Sequence, residues 1–323
     1  MTRVSYRLYP EYAPYDSGFY DTGDGHTLYY ARFGNPNGKK AVYLHGGPGG
    51  GCSFQEYRMF DPAHFDILIF DQRGAGQSRP YASITNNSIR HLVEDIDGLR
   101  RHFDIKSWSV CGGSWGSALA MFYTAAYPMH IERLLLRGIC FADTDGADFI
   151  NDARGNNAAN QYFEAYKHYI PPDERDGGLM APYYKRVISP DADIALAAAV
   201  KFTLWDTSVV SYTFPKEDME KIVENPQSIL ALARIWFHFC AHEFTNEHRN
   251  YLLKAMSDFD RPVHIIHGLQ DYLCRPESAV TLHSVCQNAA LHLFNECGHT
   301  QAEPQLRKAF IDITNNWRDN DCY

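Results

Sequence analysis

Apolar runs and polar punctuation divide this chain into three stretches of different rhythm. In the first, short and nearly uninterrupted apolar runs end at clusters of glycine. Ala41–Leu44 leads into His45-Gly-Gly-Pro-Gly-Gly-Gly51, and Phe65–Phe70 leads into Asp71-Gln-Arg-Gly-Ala-Gly76. Runs of that length bounded by turn residues predict strands buried on both faces. Ile89, Leu92, Val93, Ile96, Leu99 and Phe103 then recur at three- and four-residue steps, which places them on one helix face. Ser107–Cys111 predicts another strand, Ser117–Tyr127 a helix halted before Pro128, and Leu134–Leu136 a further strand. In the second stretch, from about Phe141 to Met256, the chain is rich in aromatic, Asn, Asp and His residues, helical in period and without strand patterns. The third resumes the first rhythm, with strands at Pro262–Gly268 and Leu291–Phe294 and a closing helix over Gln301–Arg318. Strands alternating with amphipathic helices imply the α/β class, with a mostly parallel, doubly wound sheet. The expected organisation is a core over residues 1–140 and 257–323, interrupted by a helical cap over 141–256.

Composition narrows the function classes. A chain of 323 residues with 45% hydrophobic content suits one large domain with an insertion. The net charge of −9 argues against the basic face that a nucleic-acid partner requires. No run approaches the roughly 18 apolar residues of a membrane span. The opening MTRVSYRLYPEYAPY has no apolar signal core, so the expected location is the cytoplasm. Eight scattered cysteines with no CxxC pair read as free thiols in such a chain.

The chemistry is concentrated where a strand turns into a helix, at Gly112-Gly-Ser-Trp-Gly116. G-x-S-x-G in that context lifts the serine oxygen above the sheet, and flanking glycines permit the close backbone approach. A nucleophilic serine needs a base, an orienting carboxylate and an oxyanion hole. In this fold class the acid and the histidine follow the serine in chain order, each on a loop after a late strand. Asp271, past Val263–Ile266, and His299, past Leu291–Phe294, occupy those places. Gly298 is expected to leave room for the imidazole. The oxyanion hole is expected from the amide of Trp115, next to the nucleophile, and from the glycine loop after the first strand, at Gly47. A phosphate cradle is the rival reading of that loop, but no GK[ST] or GxGxxG follows and Pro48 removes a donor. His238 and His242, with Glu243 adjacent, resemble a zinc helix only superficially, because the acid does not lie between the histidines. The proposed chemistry calls for no metal and no cofactor.

The combination of HGGPGGG at 45–51, DQRGAGQS at 71–78, GGSWGS at 112–117, HGLQD at 267–271 and GH at 298–299 resembles the prolyl aminopeptidase (proline iminopeptidase) family of α/β hydrolases. The likeness runs over nearly the whole chain, including YIPPDERDGGLMAPYYKR and LALARI within the cap. It implies Ser114, Asp271 and His299 as a catalytic triad under a helical cap, acting without a cofactor on small peptides. It also implies a pair of cap acids that hold the substrate's free ammonium. The family's Trp-Glu pair corresponds to Trp205-Asp206, an acid shortened by one methylene. Its second amine-binding Glu follows an Ala-Arg-Ile phrase, and here Ala233-Arg-Ile235 is followed by Trp236. An indole can attract an ammonium by cation–π interaction. Glu243, seven residues on and so on the same side of a helix, could supply the missing charge. The segment 143–150 also lacks the aromatic pattern expected around a proline ring.

The expected function is therefore serine hydrolysis of an amide, with release of an N-terminal proline or related residue as the specific form. The alternatives are an amidase or esterase acting on a small specialised metabolite, and a non-catalytic binding protein on the same fold. Oligomeric state is not legible in the sequence.

Overall fold

Each strand of this chain divides its side chains between two cores, and that division explains the doubly wound architecture. The structure is a computed structural model describing residues 7–152, 161–212, 221 and 224–319. Its strands are β1 (Asp16–Asp21), β2 (Thr27–Gly34), β3 (Lys39–Leu44), β4 (Phe65–Phe70), β5 (Trp108–Gly113), β6 (Ile131–Arg137), β7 (Val263–Gly268) and β8 (Ala289–Phe294). They form one sheet in the order β1-β2-β4-β3-β5-β6-β7-β8, with β1–β2 and β2–β4 antiparallel and every other pair parallel. Side chains alternate across a strand. Val42, Leu44, Leu68, Phe70 and Val110 accordingly join one core, and Ala41, Tyr43, Ile67, Ile69 and Cys111 the other.

The first core is closed by α1 (Ile89–His102), α2 (Trp115–Ala126), α8 (Asn246–Asp258) and α9 (Pro276–Val285). The second is closed by α10 (Pro304–Asp319), whose Phe310 packs edge-on against Phe60. Between β6 and α8 the described helices are α3 (Thr144–Asn151), α4 (Gln161–Tyr169), α5 (Met180–Val187), α6 (Ala192–Val210) and α7 (Pro226–His242). α8 packs against α2 and buries Leu252 and Met256 in the first core, so it belongs with the sheet although its sequence continues the helical stretch.

The β1–β2 hairpin and α9 are additions to the sequence pattern. β1 (DSGFYD) is an edge strand that alternates half-buried and exposed positions, so it carries no apolar run. Among the described residues no helix is long and apolar enough to cross a membrane. The seven described cysteines are free, and Cys322 lies outside the described residues.

Candidate active site

β5 is fully buried at the centre of the sheet, and its end is where the backbone is strained. Ser114 adopts φ 59 and ψ −129, a conformation that L-residues hold only when the surroundings impose it. Those surroundings are a hydrogen bond from the Ser114 N–H to the Arg137 carbonyl (2.8 Å) and the immediate start of α2. A Cβ at Gly116 would run into the Leu44 carbonyl, which is why the residue after Trp115 has no side chain. As first residue of α2, Trp115 presents an N–H that no carbonyl within the helix can satisfy.

Asp271 collects four donors. Its Oδ1 accepts from the N–H groups of Leu273 (2.9 Å) and Cys274 (2.8 Å). Its Oδ2 accepts from His299 Nδ1 at 2.6 Å and lies 3.3 Å from His267 Nε2. The Ile139 N–H donates to His267 Nδ1 (3.2 Å), so His267 carries its proton on Nε2 and gives it to Asp271 and to the Cys274 carbonyl (2.9 Å). Burial alone would raise the Asp271 pKa, but the charge of His299 and the bonds from both histidines more than offset it and hold the carboxylate well below its usual range. Burial pushes His299 below an ordinary imidazole, against the opposing pull of Asp271. With Nδ1 committed to Asp271, Nε2 is left as the acceptor. Neither His299 Nε2 nor Ser114 Oγ has a hydrogen-bond partner among the described residues. Room for the imidazole comes from Gly138 rather than Gly298: a Cβ at Gly138 would stand 2.8 Å from His299 Cε1. Gly298 instead admits the backbone of residues 211–212.

Ser114, His299, Gly46, Gly47, Arg137, Asp206 and Trp236 line one cleft of about 200 Å³. Of the residues singled out in the sequence, Asp206 is thus brought to the serine, and burial pushes its carboxyl up to about 7. It has no hydrogen-bond or ion-pair partner among the described residues. Trp205 is not brought there: its ring is buried against Phe163 of α4, and its Nε1–H bonds the Ile150 carbonyl. Glu243 is not brought there either. Its Oε2 accepts from the Ile89 N–H (2.9 Å), so the carboxylate caps the positive end of α1. Trp236 stacks on Phe202 and also walls a second, narrow pocket of about 30 Å³, to which Phe141, Phe149, Ile150 and Phe244 supply an aromatic and apolar lining.

Several functional-site residues have no local signature. Gln72 of the DQRG motif bridges the two sides of the expected oxyanion site. Its Nε2 donates to the His45 carbonyl (2.9 Å), its backbone N–H to His45 Nε2 (3.0 Å), and its Oε1 accepts from Trp115 Nε1 (2.9 Å). Arg73 in the same motif makes a bidentate pair with Asp95. Arg137 donates Nη1 to the His299 carbonyl and has no acidic partner among the described residues. The ligand atoms of His45, Cys52 and Asp71 lie within 4.8 Å of one another. Both ring nitrogens of that histidine and both oxygens of that aspartate are already hydrogen-bonded to backbone groups, which leaves a metal no free donor set. His238 and His242 both engage the Tyr184 hydroxyl, at 3.2 and 3.0 Å.

A mostly parallel sheet under helices, with a strained serine turning from its central strand into a helix, defines the α/β-hydrolase class, and residues 42–303 match the family described as alpha/beta hydrolase fold. Solved structures of the same fold include an esterase from Exiguobacterium antarcticum (TM-score 0.65, 17% identity, 94% of this chain and 99% of that one). A putative aryl esterase from Burkholderia cenocepacia is similar to the same degree (TM-score 0.64, 17% identity, 94% and 98%). Sequence relatives are more specific. A proline iminopeptidase of Xylella fastidiosa (strain 9a5c) is 38% identical over 96% of this chain and 99% of its own length. One from Arabidopsis thaliana is 36% identical over 94% of this chain and 80% of its own. The chain belongs to the proline iminopeptidase family.

Proposed function

We propose that this protein is a serine aminopeptidase that releases an N-terminal proline, or a residue of similar bulk, from small peptides. The observation that carries the reading is Asp206, a carboxylate without a partner in the same cleft as Ser114 and His299. A half-buried carboxylate left unpaired carries a desolvation cost, and a substrate ammonium is the group that relieves it. Ser114 attacks the carbonyl as His299 Nε2 takes its proton, with Asp271 holding the imidazole in that tautomer. The amides of Gly47 and Trp115 receive the oxyanion. His299 then protonates the leaving amine, and water resolves the acyl-enzyme. The cleft beside Trp236 takes the ring of the first residue, and the helices between β6 and α8 act as the cap that closes over it.

The pH dependence tests the amine site. Asp206 is charged above about pH 7 and neutral below it, so ammonium binding weakens as pH falls through that value. kcat/KM for a free-amine substrate is expected to fall about tenfold per pH unit below 7, since kcat/KM reports groups of the free enzyme. An amine-free aryl ester should lose activity only at lower pH, where His299 protonates. Asp206→Asn should lower kcat/KM for free-amine amides on the order of 100-fold and for the ester by less than about threefold. Coincident pH profiles, or equal losses on both substrates, would remove Asp206 from the amine site.

A second reading, hydrolysis of an amine-blocked amide or ester, is favoured by one observation. Where the family has an acid, Trp236 offers a buried Nε1–H with no partner, a donor suited to a carbonyl rather than an ammonium. Trp236→Glu is expected to raise kcat/KM on N-terminal proline substrates by about 5- to 10-fold through an added charge-assisted bond. A wild type that prefers N-acylated substrates, with no gain from Trp236→Glu, would give the second reading priority.

A further inference from the structure

The loop that carries His299 is fastened to the helix that carries Asp206. Val210 ends α6, so its carbonyl has no partner within the helix, and it accepts both the His299 N–H and the Thr300 N–H at 2.9 Å. One residue further, the Glu303 carboxylate locks the same two segments together. Its Oε1 accepts from the Tyr212 N–H (2.8 Å), the Ser211 hydroxyl (3.0 Å) and the Gly298 N–H (3.4 Å). Glu303 is 4% exposed, so water does not compete for these bonds. Gly298 lets the segments touch, because a Cβ there would lie 2.6 Å from the Tyr212 nitrogen. Asp206 and Val210 are one helical turn apart, and both face the cleft.

We propose that Glu303 is a positioning residue that couples the amine site to the base, so that an ammonium drawn to Asp206 moves α6 and seats His299 against Ser114. The inference rests on the triad reading given above. His299 Nε2 is buried with no hydrogen-bond partner among the described residues, so the base is not yet bonded to the nucleophile. Asp271 fixes one nitrogen of the imidazole, and the backbone of the loop fixes the rest. That backbone is held on the cap side by Val210 and Glu303, and on the sheet side by the Arg137 guanidinium at the His299 carbonyl. A shift of α6 therefore carries the base with it, and a displacement of about 1 Å at a reacting group is worth on the order of 100-fold in rate. A substrate with an N-terminal amine engages this device. An amine-free ester does not.

The test compares wild type, Glu303→Ala, Glu303→Gln and Ser211→Ala on a proline anilide and on an amine-free aryl ester across pH, with fluorophosphonate labelling of Ser114. Glu303→Ala is expected to lower kcat on the anilide by about 30- to 100-fold with KM changed less than threefold. On the ester the fall should be about tenfold smaller, and the acid limb of kcat on the anilide should shift. Glu303→Gln keeps an acceptor at Oε1 and should recover activity to within about fivefold of wild type. If Glu303→Ala does not fold, Ser211→Ala, which removes one bond, carries the same test: the ratio of anilide to ester kcat should fall by about threefold. Equal losses on both substrates with an unchanged pH profile would make Glu303 merely structural, and unchanged kcat would dismiss the coupling. A wild type not labelled at Ser114 would instead overturn the triad reading beneath it. Labelling with no effect of Glu303→Ala would overturn the coupling alone.

Discussion

Ser114→Ala is expected to lower turnover by about 10⁴- to 10⁶-fold while the fold persists. The size follows from the way a nucleophile and its base act as a unit, so that losing one removes nearly all that the group contributes. The residual rate comes from the oxyanion amides and from binding. The fold persists because the substitution removes only Oγ, which has no hydrogen-bond partner among the described residues. The strained backbone at φ 59 is imposed by the Ser114–Arg137 hydrogen bond and the start of α2, and neither involves the hydroxyl. A stability change within about 0.5 kcal/mol is therefore expected. Turnover, thermal unfolding and mass-spectrometric mapping of a fluorophosphonate adduct check the three parts. Retention of more than a few per cent of activity, or a label on another serine, would remove Ser114 from the mechanism.

The second large effect is expected at Asp271. Asp271→Asn should lower kcat by about 10⁴-fold. An amide can offer its single oxygen to one side only. If the oxygen stays on the Leu273 and Cys274 amides, the NH₂ group faces His299 and forces its proton to Nε2, where it blocks acceptance from Ser114. If the amide flips, two backbone donors lose their acceptor. His299→Ala should cost at least as much, because among the described residues His299 is the one imidazole lining the cleft, and Asp206 is committed to the amine end. In wild type Asp271 remains ionised across the working range, so the acid limb of kcat for an amine-free substrate belongs to His299. That imidazole lies below its ordinary value, so activity should persist to mildly acidic pH and fall only as it protonates. An acid limb that survives His299→Ala would assign it to another group.

Legibility from sequence followed burial and distance along the chain. β4 was readable to its bounds because all six positions are buried and five are apolar, the sixth being Asp66, paired with Arg32 and Lys40. β1 was not, because its alternate positions face solvent and its apolar content is no higher than that of a loop. The serine, aspartate and histidine carry local marks, each on a turn after a strand. Glu303, Gln72 and Arg137 do not, since what they do depends on distant partners: Ser211 is 92 positions from Glu303, Trp115 43 from Gln72 and His299 162 from Arg137. Glu243 shows how helical periodicity misleads. Counting seven residues from Trp236 puts it on the same side, but it lies at the C-cap of α7, where the chain leaves the helix and the side chain turns to the end of α1. The aromatic wall missing from the segment 143–150 is assembled instead from Phe141, Phe149 and Phe244, two of them outside that segment.

The helices α3 to α8 separate β6 from β7 in the chain while leaving them adjacent in the sheet, with Leu134 paired to Val263. Closing a loop of that length costs about 4 kcal/mol in chain entropy. The pairing therefore forms only once other parts of the core can support it. During synthesis from the N-terminus, Ser114 and its glycine loop emerge long before the residues that would activate the serine. Through that interval the nascent chain holds an ordinary alcohol and not an activated one, and it has no means of attacking itself or its neighbours at the ribosome. The activating groups are complete only when His299, beyond the last strand, has been made.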